Sequence, residues 1–172
     1  QASLGYRAPS FTNDAMFREH CGIEVDALEY FIDTKNNDIV DGGICIFAAG
    51  NESQPLSGYP AGYSKMISVT SLASDHRPAY YTNYGQGCNI ASIGGEYYTG
   101  GANRYEAGIL STLPYNVSES GYGYMQGTSM ACPHASGIAA LGLSYMKKLG
   151  KTSTVEEFKS MFLTAINEME SY

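Results

Sequence analysis

An α/β fold built on a parallel sheet with flanking helices is what this sequence predicts, and three observations carry the prediction. Short apolar runs alternate with helical patterns along the chain. One run, residues 44–49 (ICIFAA), is apolar without a break, the pattern of a strand buried on both faces. A long stretch from Thr128 carries small residues on nearly every helical face: Ala131, Ala135, Gly137, Ala139, Ala140 and Gly142. A helix of that kind is expected to lie centrally, with neighbours all round.

The elements follow in order. Residues 1–5 read as a short extended piece running into a loop of Pro, Ser, Thr and Asn. Residues 14 to about 35 read mostly as helix, with Gly22 a weak point in its early part. Ile23, Ala27, Leu28, Phe31 and Ile32 recur at helical spacing, with Glu24, Asp26, Glu29 and Asp33 opposite. Turn formers fill 36–43. The strand at 44–49 ends on Gly50-Asn51, and MISVTSL at 66–72 is a second strand. Residues 88–93 are a shorter third. The Gly- and Tyr-rich stretch 94–108 reads as a hairpin or exposed loop, and 109–113 as a strand. The helix from Thr128 runs to 146. A last, amphipathic helix covers 154–168, with Thr154 and Glu157 spaced as a capping box.

Composition bounds the function. The chain has 172 residues, 44% hydrophobic, enough for one domain with its own core. Its formal net charge is −7 and no basic run exceeds Lys147-Lys148. Such a surface repels phosphate backbones, so no nucleic-acid partner is expected. The longest strongly apolar stretch, 135–146, is too short to span a bilayer. Cys21, Cys45, Cys88 and Cys132 show no CxxC or Cys/His spacing, so zinc is not expected. No metal-ligating residues and no cofactor are assigned. Buried free thiols are expected rather than disulfides. The chain starts at Gln1, not Met, with no signal peptide, and reads as a processed or excised piece.

The chemistry lies in Gly127-Thr128-Ser129-Met130-Ala131-Cys132-Pro133-His134. A serine at the start of a buried helix has a backbone N–H that no helical carbonyl meets. The helix N-terminus also favours negative charge, a developing oxyanion included. A generic Thr-Ser pair would be an ordinary helix cap. Here GTSMACPH followed by ASGIAAL resembles the serine signature of the subtilisin-like serine proteases, or subtilases. The resemblance continues in order through Ser3-Leu4-Gly5, FAAGNES, GYPAGYSKMISVTSL, YYTNYG and ILSTLP.

The resemblance implies a subtilisin-like parallel sheet and a serine endopeptidase acting on protein or peptide substrates. Ser129 would be the nucleophile and Asn51 the oxyanion donor. Ser3, Leu4 and Gly5 on one side, and Ala48, Ala49 and Gly50 on the other, would line the substrate pocket. Gly58 would sit at its base, where small residues leave room for a large apolar side chain. Glu52 falls near the rim, where a basic group would be tolerated. The Tyr59–Pro60 peptide bond is expected to be cis, and the parent protein secreted or on the cell envelope. Asn51 also makes sense without the family: a buried strand ending in Gly-Asn presents a neutral amide donor at the carboxyl end of a parallel sheet.

A subtilase carries Asp, then His, then Ser along the chain. The Asp and His motifs should precede Ser3, and neither is present. Asp33-Thr34-Lys35 lacks the glycine. His134, about 140° around the helix from Ser129, cannot readily reach its hydroxyl; His76 lies in the polar turn ASDHRP after a strand, and His20 at the start of a helix. The whole of 1–172 is therefore expected to be the C-terminal part of one catalytic domain, with the N-terminal strands absent. Its partner would be the missing part of the same domain, and the chain alone should be inactive. The alternative is a non-catalytic, protease-like binding module with a degenerate triad. An α/β-hydrolase reading of Gly127-Thr128-Ser129-Met130-Ala131 fails on chain order, because no Asp follows Ser129. Two departures stand out: Ser92-Ile93-Gly94 replaces the usual Ala-Pro-Gly turn, and 95–106 looks inserted.

Overall fold

The computed structural model describes residues 1–35, 37–99 and 102–165. Two helices open the chain, α1 (Asp14–His20) and α2 (Gly22–Asp33). Three strands, β1 (Ile46–Ala48), β2 (Ile67–Leu72) and β3 (Ile90–Ile93), form a parallel sheet in that order. Two small hairpins follow: β4 (Tyr98–Thr99) with β5 (Ala102–Asn103), then β6 (Ile109–Thr112) with β7 (Tyr122–Met125). The long helix α3 (Thr128–Lys148) and the short α4 (Val155–Thr164) complete the order. The expected α/β architecture is the observed one.

The sheet is covered on both faces. Phe47 and Met66 pack with Phe11, Phe17, Val25 and Ile32 of the α1–α2 side. Ile46, Ile67, Val69 and Ile90 pack with Ala131, Cys132, Ala135 and Ala139 of α3 and with Phe158 of α4. Neighbouring residues Ile46 and Phe47 thus serve opposite layers, which is why the 44–49 run has no polar alternation. Small residues on α3 let its backbone lie close to the strands. At the free side of β1 the chain adds one more bridge, Ala2 to Phe47, with Ala2 N–H donating to Ile46 O (3.0 Å) and Ala48 N–H to Ala2 O (3.1 Å).

Three expectations need correction. The helix expected over 14–35 is two. Asn13 caps α1 by accepting from Met16 N–H (2.9 Å), and Cys21, at φ −126° and ψ 36°, ends α1 and starts α2. Gly22 follows, a residue with little helix preference, so the break costs little there. The strand β7 has no counterpart in the sequence reading. Finally, α3 is not enclosed: Ile138, Leu141 and Tyr145 are 61%, 70% and 59% exposed. It packs on the sheet and on Phe158 of α4, and a methyl group added at Gly137 would meet nothing within 4 Å.

The expected capping box of the last helix is present, Thr154 accepting from Glu157 N–H and Glu157 from Thr154 N–H. The helix ends at Thr164 with Ala165 as its cap residue, short of the expected 168; residues 166–168, Asn36 of the expected 36–43 turn and 100–101 of the expected 94–108 stretch lie outside the described residues. Tyr59–Pro60 is cis, as is Ala8–Pro9. All four cysteines are free thiols. Burial pushes the thiols of Cys45 and Cys132 up, and that of Cys88 up to about 11, against hydrogen bonds from Ser68 and Ser57. Protonated thiols are poor nucleophiles.

Candidate active site

The serine segment is built by backbone that only glycine accepts readily. Gly127 precedes α3 at φ +146°, and its N–H donates to Gly94 O (3.1 Å). A Cβ on Gly94 would fall 2.1 Å from Ser71 Oγ and 2.4 Å from Gly127 O. Ser92 and Ile93, expected in a turn, continue β3, and Gly94 after them is the one residue this contact requires.

Pro133 lies inside α3 and has no N–H, so the Ser129 carbonyl loses its normal helical donor. Ser3 Oγ donates to it instead, at 3.2 Å. One turn on, Cys132 Sγ contacts Ala2 O (3.6 Å) and Ile46 O (3.5 Å). The first turn of α3 is thereby tied to the N-terminal strand and to β1.

Asn51 is oriented by Thr128. Gly50 N–H donates to Thr128 Oγ1 (3.2 Å), and the Thr128 hydroxyl donates to Asn51 Oδ1 (3.0 Å). Thr128 N–H donates to the same oxygen at 2.9 Å. A backbone N–H can only donate, so the amide oxygen must face it and the Nδ2 end faces away. Among the described residues Asn51 Nδ2 meets no acceptor, and neither does Ser129 N–H. One point beside Gly127, where a Cβ would sit, lies 3.6 Å from Asn51 Nδ2 and 3.7 Å from both Asn51 Oδ1 and Ser129 N. Two unpaired donors thus flank the N-terminus of a 21-residue helix, a place that favours an anion.

Every residue expected at the site lines one cleft of about 270 Å³. Ser3, Leu4, Gly5, Ala48, Ala49, Gly50, Asn51, Gly58 and Ser129 all line it. Gly58 N–H donates to Ala49 O (2.7 Å), and a Cβ there would meet Tyr6 O at 2.6 Å and Ala49 O at 3.3 Å. Gly58→Ala is accordingly expected to overpack the wall and destabilise the full-length protein by about 1–3 kcal/mol. A urea unfolding midpoint unchanged from the parent's would contradict that.

Four lining residues are not among those the sequence marks: Thr128, Tyr6, Arg7 and Tyr59. Thr128 is in the recognised motif, but its hold on Asn51 depends on the fold. Tyr6 and Arg7 lie next to Ser3-Leu4-Gly5 with no pattern to mark them. Glu52 is in the cleft, as expected. The histidines are elsewhere: His134 Nδ1 is paired with Met130 O (2.8 Å), His20 Nδ1 with Met16 O (2.9 Å), and His76 occupies a turn at φ +66°.

Comparison with known proteins decides the family. Residues 3–171 match the subtilase family. This chain belongs to it. Among subtilases, the extracellular basic protease of Dichelobacter nodosus is 33% identical over 126 residues, covering 71% of this chain and 19% of that protein. The major intracellular serine protease of Bacillus subtilis is 34% identical over 115 residues, 63% of this chain and 31% of that one. The chain thus spans less than a third of either relative. The prenylagaramide maturation protease PagA superposes with a TM-score of 0.68 at 21% identity, over 98% of this chain and 52% of that structure, and shares the fold. No helix among the described residues is long and apolar enough to cross a membrane.

Proposed function

We propose that this subtilase chain is the serine-bearing part of a serine endopeptidase. The observation that carries the reading is the Thr128–Asn51 lock, which turns the Asn51 amide N–H away from Thr128 in the cleft that Ser129 also lines. Ser129 Oγ attacks the scissile carbonyl and loses its proton to a base. The carbonyl oxygen becomes an oxyanion and accepts from Asn51 Nδ2–H and Ser129 N–H. Collapse expels the amine, which takes the proton from the base, and leaves an ester on Oγ. Water then attacks that ester, and Oγ departs with a proton as the acid is released.

The base comes from a preceding segment of the same domain, which also supplies its orienting Asp. Two things support this: the chain's partial span of its relatives, and the bare α3 face formed by Ile138, Leu141 and Tyr145. The substrate is a peptide or protein whose side chain enters between the two small-residue walls. Secretion or placement on the cell envelope fits the extracellular naming of one relative, although another is named intracellular.

An active-site-directed fluorophosphonate separates the possibilities. In the full-length protein Ser129 should label rapidly and stoichiometrically. In the isolated 172-residue chain, with no base to activate the hydroxyl, labelling should be slow or absent. Failure to label Ser129 in an intact full-length protein would overturn the peptidase reading in favour of a binding module. Rapid labelling of the isolated chain would refute the need for a preceding segment.

A further inference from the structure

We propose that Asn83 is a positioning residue for the candidate active site, holding the 49–54 loop that carries Asn51. Its side chain is fully buried. Asn83 Oδ1 accepts from Glu52 N–H (3.1 Å) and Gln54 N–H (3.0 Å). Asn83 Nδ2 donates to Ala49 O (2.9 Å) and to Glu52 Oε2 (2.8 Å). Its backbone N–H donates to Gly50 O at 3.1 Å. One residue thus grips the backbone immediately before and immediately after Asn51. The amide cannot be flipped, because two backbone N–H groups face Oδ1 and a carbonyl faces Nδ2.

The mount beneath Asn83 is rigid. Tyr81 and Thr82 are buried beside it. Tyr81 Oη pairs with Ser71 Oγ (2.7 Å) and donates to Gly95 O (2.5 Å), while Thr82 Oγ1 accepts from Ser71 N–H (2.8 Å). Position 83 is therefore pinned to the end of β2, and through its amide it sets the loop after β1. Gly50 completes the fit: at φ +107° it brings the chain so close that a Cβ would lie 2.4 Å from Asn83 Nδ2. Thr128 orients the Asn51 side chain and accepts from Gly50 N–H on one side of it. The contacts of Asn83 fall on both sides of Asn51, on Ala49 and Gly50 before it and on Glu52 and Gln54 after it. A donor displaced by about 1 Å from a developing oxyanion can cost ~10²-fold in rate.

The role rests on the peptidase reading of the cleft, and the full-length protein tests both. Asn83→Asp keeps the acceptor for Glu52 N–H and Gln54 N–H but sets a carboxylate against Glu52 Oε2 and Ala49 O. At pH 8, well below each variant's melting temperature, kcat for a peptide substrate is expected to fall about 10- to 100-fold, with KM within about threefold of the parent's. Adding Glu52→Gln returns an amide donor against Asp at 83 and is expected to recover at least about tenfold of the lost kcat relative to Asn83→Asp alone. A purely structural role would lower the melting temperature and leave kcat of the folded enzyme intact. Unchanged kcat in Asn83→Asp, or no recovery in the double variant, overturns the assignment. An inactive full-length parent overturns the peptidase reading, and this role with it.

Discussion

In the full-length protein Ser129→Ala is expected to lower kcat by about 10⁶-fold, and Asn51→Leu by about 10²–10³-fold with KM little changed. Both magnitudes are those known for subtilisin, a relative of this chain. The difference between them has a physical basis. Without Ser129 Oγ no acyl-enzyme forms, so the whole covalent route is lost. Without the Asn51 amide the route survives, but the oxyanion keeps one donor instead of two, and the loss appears only where that charge develops. Leu approximates the shape of Asn while removing the donor, and it also releases Thr128 from the Asn51 oxygen. The two changes should not add, because the amide assists a step that needs the serine. Steady-state kinetics on the two single variants and the double variant check this. A double variant slower than Ser129→Ala by a further 10²-fold would mean that Asn51 acts outside the Ser129 pathway.

The second large effect concerns the isolated 172-residue chain. Sedimentation is expected to show self-association at micromolar concentration. Ile138, Leu141 and Tyr145 form an apolar row on α3, and Leu149 at 50% exposure extends it. Among the described residues the outer side of β1 pairs through the single Ala2–Phe47 bridge. Exposed sheet edges and apolar patches recruit other chains. Ile138→Glu with Leu141→Glu should shift the chain towards monomer, since both side chains are solvent-facing and their replacement disturbs no described packing. Supplying the preceding segment of the domain as a separate polypeptide should do the same and restore Ser129 labelling. A stable, cooperatively unfolding monomer of the unmodified chain would show that this face needs no cover.

How far the sequence could be read depends on where each residue's contacts lie. The strands β1 and β2 were legible because burial on both faces leaves continuous apolar runs, Ile46 and Phe47 serving opposite layers. Ser129, Asn51 and the pocket walls were legible through contiguous motifs, and all of them line the one cleft. The strand β7, Tyr122-Gly123-Tyr124-Met125, was not: it is part of a two-stranded ribbon with no buried face, so no alternation records it. The break at Cys21 is a local backbone choice that a helical run of apolar residues tolerates on either side. The exposure of α3 was misread for a related reason. Small residues suit a buried helix, but they say nothing about which neighbours are present.

By itself the sequence determined the α/β class, the family, the candidate nucleophile and its neutral donor, because each is written in adjacent residues whose chemistry is local. Only the tertiary structure decided which groups hold that donor. Thr128 meets Asn51 across 77 positions and Asn83 meets Ala49 across 34. An Asn in a Tyr-rich loop reads as a plain turn former until the fold buries it. Once buried, its amide must satisfy every donor and acceptor around it, and that obligation ties two distant loops into one rigid site.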